Sequence, residues 1–263
     1  MVAASVNGAD WRVRSGQYGQ ATFPLVLGRD FSGTVAALGE GVGDFKIGDA
    51  VFGVLEAGRA AIIARKPDAV SHVDAAALAL TGLTASISVE TTLMLQRGET
   101  ILIQGGAGGV ASFAIQLAKH IGARVITTTS TANLDYVRGL GADEVIDYNA
   151  RDFTRAVSGC DAVFDTVGGE VAQKSFAVLR PGGRAAFIAS GPQAPKPDRD
   201  DVTALRPAVG RARAPLERVA KLAASRAVRP PEVKLYRLAQ AAEAHRVSQS
   251  RHFRGKLVFQ VRG

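Results

Sequence analysis

The sequence predicts an α/β protein: a doubly wound parallel sheet inserted between two pieces of a smaller, incomplete β domain. Short β-branched runs alternate with helix-period segments through the middle of the chain. A glycine-rich turn joins the first of these strands to the first of these helices, and glycine-punctuated short strands fill the N-terminal flank. The 263 residues suffice for one or two domains with a sizeable core, and 29 glycines suit a fold of tight turns and close backbone approaches.

Residues 99–104 form a short apolar run ending in glycines, as a buried parallel strand should. Residues 109–121 set Val110, Phe113, Ala114, Leu117 and Ala118 at helical spacing, and Gly122 supplies the stop. Further strands are expected at 123–128, 144–146, 161–165, 184–189 and 202–205. Helices are expected at 133–140, 152–157 and 169–179, and a surface loop over 191–201. Such repeated β-α units give a parallel sheet with right-handed crossovers. Residues 1–60 read as all-β, with turns at 39–43 and 47–49. Residues 214–228 read as an amphipathic helix, and 232–236 and 256–261 as strands. The sheet domain is therefore placed at 77–210, between β-domain pieces at 1–76 and 211–263.

The turn Gly106-Ala107-Gly108-Gly109-Val110-Ala111 satisfies G-x-G-x-x-G/A between a strand and a helix. The first glycine permits a tight turn, and the second lets the backbone reach a pyrophosphate. The small residue at 111 lets helix and strand pack. Free N–H groups and the helix dipole favour the negative ligand, so the motif predicts a Rossmann dinucleotide site. An NAD site carries an acid about 20 residues further on. Here the second strand ends Thr127-Thr128-Thr129-Ser130-Thr131-Ala132-Asn133, with no acid before Asp135. Hydroxyls and an amide can donate to a 2′-phosphate that a carboxylate would repel, so the expected cofactor is NADP(H).

The formal charge of +8 is uneven: residues 196–263 hold 16 Lys and Arg against 6 Asp and Glu. Scattered arginines such as Arg211, Arg213, Arg218, Arg226 and Arg229 read as a solvated face, the alternative being a nucleic-acid surface. The single cysteine, Cys160, excludes an internal disulfide framework and reads as a packing residue. No apolar run approaches the roughly 18 residues of a membrane span, and the start has no basic or long apolar leader segment. A cytoplasmic location is expected.

Several separate motifs then converge. They are Ala4-Ser5-Val6-Asn7-Gly8-Ala9-Asp10, Gly28-Arg29-Asp30-Phe31-Ser32-Gly33, and Phe45-Lys46-Ile47-Gly48-Asp49-Ala50-Val51-Phe52-Gly53. Thr81-Gly82-Leu83-Thr84-Ala85, Gly141-Ala142-Asp143-Glu144-Val145-Ile146-Asp147-Tyr148 and Phe253-Arg254-Gly255-Lys256 complete the set. Together they resemble the zinc-free, NADPH:quinone oxidoreductase-like branch of the medium-chain dehydrogenase/reductase superfamily. The resemblance covers most of the chain and implies a Rossmann domain inserted in a GroES-like β domain.

By that resemblance Asn7 and Asp10 border the nicotinamide and substrate as catalytic residues, Asp10 having a turn cap as its structural alternative. Thr84 faces the carboxamide, and Gly106, Ala107, Gly108, Gly109 and Val110 hold the pyrophosphate. Ser130, Asn133 and Tyr148 surround the 2′-phosphate, with strand-end packing as the alternative for Tyr148. Val167, Ala189 and Ser190 lie near the nicotinamide, and Arg206 and Lys256 are further cofactor candidates.

No metal is expected. Zinc members have Gly-His-Glu where this chain has Gly28-Arg29-Asp30, and His72, His120, His245 and His252 lack ligand spacing. The resemblance implies hydride transfer from NADPH to a quinone or α,β-unsaturated carbonyl by a homodimer, and neither a membrane nor a nucleic-acid partner is expected. The alternative is a catalytically silent NADP(H)-binding sensor, or a protein that binds a partner or RNA through its basic third. Relatives carry a further N-terminal segment and a longer stretch than residues 54–65, so unpaired strand edges are expected here.

Overall fold

A computed structural model describes residues 1–17, 24–55, 61–191, 193–209 and 212–262. Arg211, the 210/211 boundary and the middle of the short 54–65 stretch lie outside the described residues. From the N-terminus come β1 (Ala3–Val6), α1 (Gly8–Arg14), β2 (Asp30–Thr34), β3 (Ala50–Leu55), β4 (Ala61–Arg65) and α2 (His72–Ser86), which runs on as a π-helical turn, Ile87–Thr92. Then follow β5 (Thr100–Ile103), α3 (Gly109–Ile121), β6 (Arg124–Thr129), α4 (Leu134–Arg138), β7 (Glu144–Asp147) and α5 (Phe153–Ala156). The chain continues with β8 (Cys160–Asp165), α6 (Glu170–Lys174), β9 (Leu179–Phe187) and β10 (Thr203–Leu205). It closes with α7 (Arg213–Ala224), β11 (Val233–Arg237), α8 (Ala241–Ser250) and β12 (Lys256–Gln260).

Two compact units form. The first holds Met1–Thr81, Arg211–Arg226 and Pro230–Gly263; the second holds Gly82–Gly210 and Ala227–Arg229. In the second unit six parallel strands run in the order β10-β9-β8-β5-β6-β7. The order reverses between β5 and β8, the switch point where open α/β sheets bind ligands. Ile101, Leu102, Ile103, Val163, Phe164 and Phe187 are buried, which explains their uninterrupted apolar runs. Cys160 is buried in this core beside Leu179 and Val178. Helix α3 ends at Gly122, whose φ of 97° suits the left-handed cap that glycine adopts without strain.

In the first unit the order is β11-β12-β1-β2-β3-β4. All neighbours are antiparallel except β11 and β12. β1 is an inner strand, paired on one side with β12 and on the other with β2. The outer strands are β11 and β4, and α7 packs on β4.

Two helices of this unit have no counterpart in the sequence reading: α1, where a strand and turn were expected, and α8. α8 contributes Ala244 to a small core with Val6, Tyr236, Leu257 and Phe259. The membrane-span expectation also needs amending. The helix His72–Thr92 is long and apolar enough to cross a bilayer by length and composition, and 78% of its 18-residue apolar window is buried inside the protein.

Candidate active site

The second unit carries the phosphate loop at the C-terminal end of β5. Gly105 takes a φ of 75°, with Thr166 and Val167 3.0 Å from where a Cβ would stand. A Cβ on Gly106 would overlap the Thr127 hydroxyl and crowd Val137 and Ile115. The loop is tied to its neighbours. Gly106 N–H donates to the Thr128 carbonyl at 2.8 Å, and Gly105 N–H to Thr128 Oγ1 at 3.2 Å. Thr128 Oγ1 donates to buried Gln104 Oε1 at 2.5 Å, and Gln104 Nε2 donates to Ser175 Oγ at 3.1 Å. Gly108 caps α3 without a side-chain bond to the helix. The first-turn N–H groups, which have no intrahelical acceptor, are of the kind that favours an anion at a helix N-terminus. These features fit a dinucleotide pyrophosphate.

Asp165, fully buried, shapes the neighbouring turn. Its Oδ1 accepts from Val167 N–H at 3.2 Å and its Oδ2 from Gly168 N–H at 2.8 Å. Gly168, with φ of 81°, lies so close to Ala189 that a Cβ would stand 2.7 Å from its carbonyl oxygen. The turn thus sets Gly168, the residue after Val167, against Ala189. Ser190 Oγ next door is buried with no hydrogen-bond partner among the described residues. Arg206 is turned onto the end of β9, its Nη1 donating to the Phe187 carbonyl at 2.5 Å. Thr84 is buried on α2, and its carbonyl accepts from Ser88 Oγ at 2.7 Å.

At the end of β6, Asn133 Nδ2 donates to Ser130 Oγ at 3.0 Å, and Tyr148 N–H to the Thr129 carbonyl at 3.0 Å. The three residues expected around a 2′-phosphate therefore gather at one strand end. The Tyr148 side chain is half-exposed rather than packed on the sheet. Asp147 was missed. The β6–β7 register sets it opposite Thr129, and its Oδ2 accepts from Thr131 Oγ1 at 2.6 Å. A search for acids along β6 alone could not find a carboxylate brought in by the next strand.

The first unit holds a buried polar cluster at one end of its central strands. Asp30 Oδ2 accepts from Ser5 Oγ and, at 3.1 Å, from Asn7 Nδ2. Lys256 Nζ donates to Asn7 Oδ1 at 2.5 Å and to the Val6 carbonyl at 2.8 Å, and lies 3.3 Å from Asp30 Oδ2. The Lys256 side chain is thus engaged within this cluster by two hydrogen bonds and an ion pair. Asp10, on the first turn of α1, accepts from Asn7 N–H at 2.8 Å. Burial pushes the Asp10 carboxyl up to about 6, and the nearby Asp30 charge adds to the rise. The Asn7 hydrogen bond and the positive charges of Lys256 and Arg29 act in the opposite sense. Asn7 and Asp10 are thus brought together, and the sequence reading missed Ser5 and Asp30 beside them. Among the described residues no group of three or more His, Cys, Asp or Glu could hold a metal ion.

Residues 1–121 match the alcohol dehydrogenase GroES-like domain family, and residues 140–259 the zinc-binding dehydrogenase family. The quinone oxidoreductase from Coxiella burnetii superposes with a TM-score of 0.88 at 32% identity, over 99% of this chain and 88% of that one. This chain belongs to the medium-chain dehydrogenase/reductase superfamily. A second superfamily structure, a mycobacterial protein complexed with NADPH, has a TM-score of 0.85 at 30% identity, covering 99% of this chain and 89% of its own. Among curated superfamily relatives, the NADPH-dependent alkenal/one oxidoreductase of Arabidopsis thaliana is 34% identical over 209 residues, 72% of this chain and 53% of the relative. The chain spans about half the length of such curated relatives.

Proposed function

We propose that this protein is an NADPH-dependent oxidoreductase that reduces a quinone or an α,β-unsaturated carbonyl. The observation that carries the proposal is the buried Asn7–Asp10 pair, in a chain whose other unit bears a built dinucleotide loop. The similarity to an alkenal/one oxidoreductase and to a protein solved with NADPH supports it. Bound NADPH supplies a hydride. The chain's own work lies at the substrate carbonyl, where negative charge builds as hydride arrives. Asn7 Nδ2 donates a hydrogen bond to that oxygen, and Asp10, kept neutral by burial below about pH 6, delivers the proton.

We also propose that the reaction runs without zinc. Arg29 stands where a histidine ligand would, with its Nε on the Leu55 carbonyl at 3.2 Å. Reduction of a conjugated carbonyl needs an acid rather than a metal-held alkoxide. A cytoplasmic homodimer without membrane or nucleic-acid partners completes the proposal.

NADPH oxidation against a panel of quinones and enones tests it. The expected result is turnover whose kcat/KM falls as pH rises through about 6, because the acid form of Asp10 is lost. Asp10→Asn should flatten that profile and lower kcat by about 10²–10⁴-fold. NADPH binding without turnover on any member of the panel would refute the catalytic reading.

A further inference from the structure

The carboxamide of Asn7 lies between opposite charges. Its Oδ1 faces the Lys256 ammonium at 2.5 Å and its Nδ2 faces the Asp30 carboxylate at 3.1 Å. Turning the amide over would set its NH2 against an ammonium and its oxygen against a carboxylate. Both charges are out of water, with side-chain exposures of 6% for Lys256 and 0% for Asp30. Desolvating two ions costs several kcal/mol each, so such a pair is a poor source of stability compared with apolar packing. It is well suited to specifying one arrangement.

Three adjacent strands build the frame. Lys256 opens β12, Asn7 follows β1 and Asp30 opens β2, with Val6 opposite Leu257 and Ser5 opposite Asp30. Lys256 also holds the Val6 carbonyl, so one ammonium fixes the backbone of one residue and the side chain of the next. The Asn7 N–H holds Asp10 Oδ2, so whatever fixes Asn7 also fixes the carboxyl.

We propose that Asp30 and Lys256 are positioning residues, which lock the Asn7 carboxamide in one orientation and thereby set the Asn7–Asp10 pair for the substrate carbonyl. The proposal rests on the catalytic reading of Asn7 and Asp10 given above. Neither Asp30 nor Lys256 touches the reacting atoms in it; both act through Asn7.

A double-mutant cycle tests it, using Asn7→Ala, Lys256→Met and the double variant, with menadione and trans-2-hexenal as probes. Lys256→Met should lower kcat about 10–100-fold with NADPH affinity unchanged, since a small misplacement of a catalytic group costs that much. In the Asn7→Ala background it should cost nothing more, and losses that multiply would overturn the proposal. The Asn7 side-chain amide resonances give a second readout that does not depend on turnover. They should exchange with solvent faster in Lys256→Met, and unchanged exchange would overturn the anchoring whether or not Asn7 is catalytic. A fully active Asn7→Ala would instead defeat the catalytic reading, with the amide exchange still reporting on the anchor. Asp30→Asn, close in shape but uncharged, repeats both measurements from the other end of the amide. Collapse of folding in both single variants would overturn the proposal by assigning the pair to stability.

Discussion

At the scale of single residues, the property that suits Asp10 to the proposed acid role also makes it costly to the fold. Its carboxyl is raised from the ordinary 3.8 to about 6, so the folded protein holds a proton that the unfolded chain has already released. The sign follows from linkage: the contribution is fully present below about pH 4 and is lost as pH rises through 6. Asp10→Asn should therefore be more stable than the parent by roughly 2–3 kcal/mol at about pH 7, and should lack the parent's decline between about pH 4 and 7. Urea denaturation across that range measures it, and parallel curves for the two proteins would contradict it. Asn7 and Asp10 were legible from the local motif. Asp30 and Lys256 were not legible as its partners, because they lie 23 and 249 residues from Asn7 and meet it only through strand pairing.

At the scale of elements, buried parallel strands and the helix over Gly109–Ile121 were legible because both faces of each strand, and one stripe of the helix, are apolar. The short α1 spans only two turns, and α8 is amphipathic but buries small and polar residues, so neither shows a strongly apolar stripe. Asp147 was hidden for a different reason, since its position beside Thr131 depends on the β6–β7 register. The outer strand β4 is covered by α7, whose buried face is Leu216, Val219, Leu222 and Ala223. Leu216 is fully buried, so Leu216→Ala should cost about 2–5 kcal/mol. Loosening that cover should also promote association through the strand edge. Denaturant midpoints and light scattering read the two effects, and a loss below about 0.5 kcal/mol would show that the helix does not anchor there.

At the scale of the whole molecule, the chain divides into two units with one candidate cluster in each. A ligand that binds only the folded state stabilises by mass action, about 2.7 kcal/mol at a hundredfold excess over Kd. NADPH should raise the melting temperature, and NADH at equal concentration should raise it less, because Ser130, Asn133 and Tyr148 gather where the 2′-phosphate is expected. Equal shifts would remove the basis for that preference. The basic C-terminal third is partly neutralised in the fold, with Arg199 on Asp201, Arg213 on Asp44 and Glu217, and Arg254 on Glu232. Composition could show the excess of charge but not this pairing.

The core position of Cys160 has a chemical consequence. Quinones and enones are electrophiles that alkylate thiolates, so an enzyme turning them over is exposed to inactivation by its own substrates. The chain's one cysteine is fully buried, and burial, with the neighbouring Asp161 charge, pushes its thiol up to about 11. Both the access and the thiolate that alkylation requires are withheld. Native protein incubated with maleimide or benzoquinone should gain no adduct at Cys160 over many turnovers, while unfolded protein should gain one, by mass spectrometry. Rapid labelling of the native protein would show that the core opens to such reagents. Under the proposed activity, the one thiol of the chain stays out of reach of the electrophile being reduced.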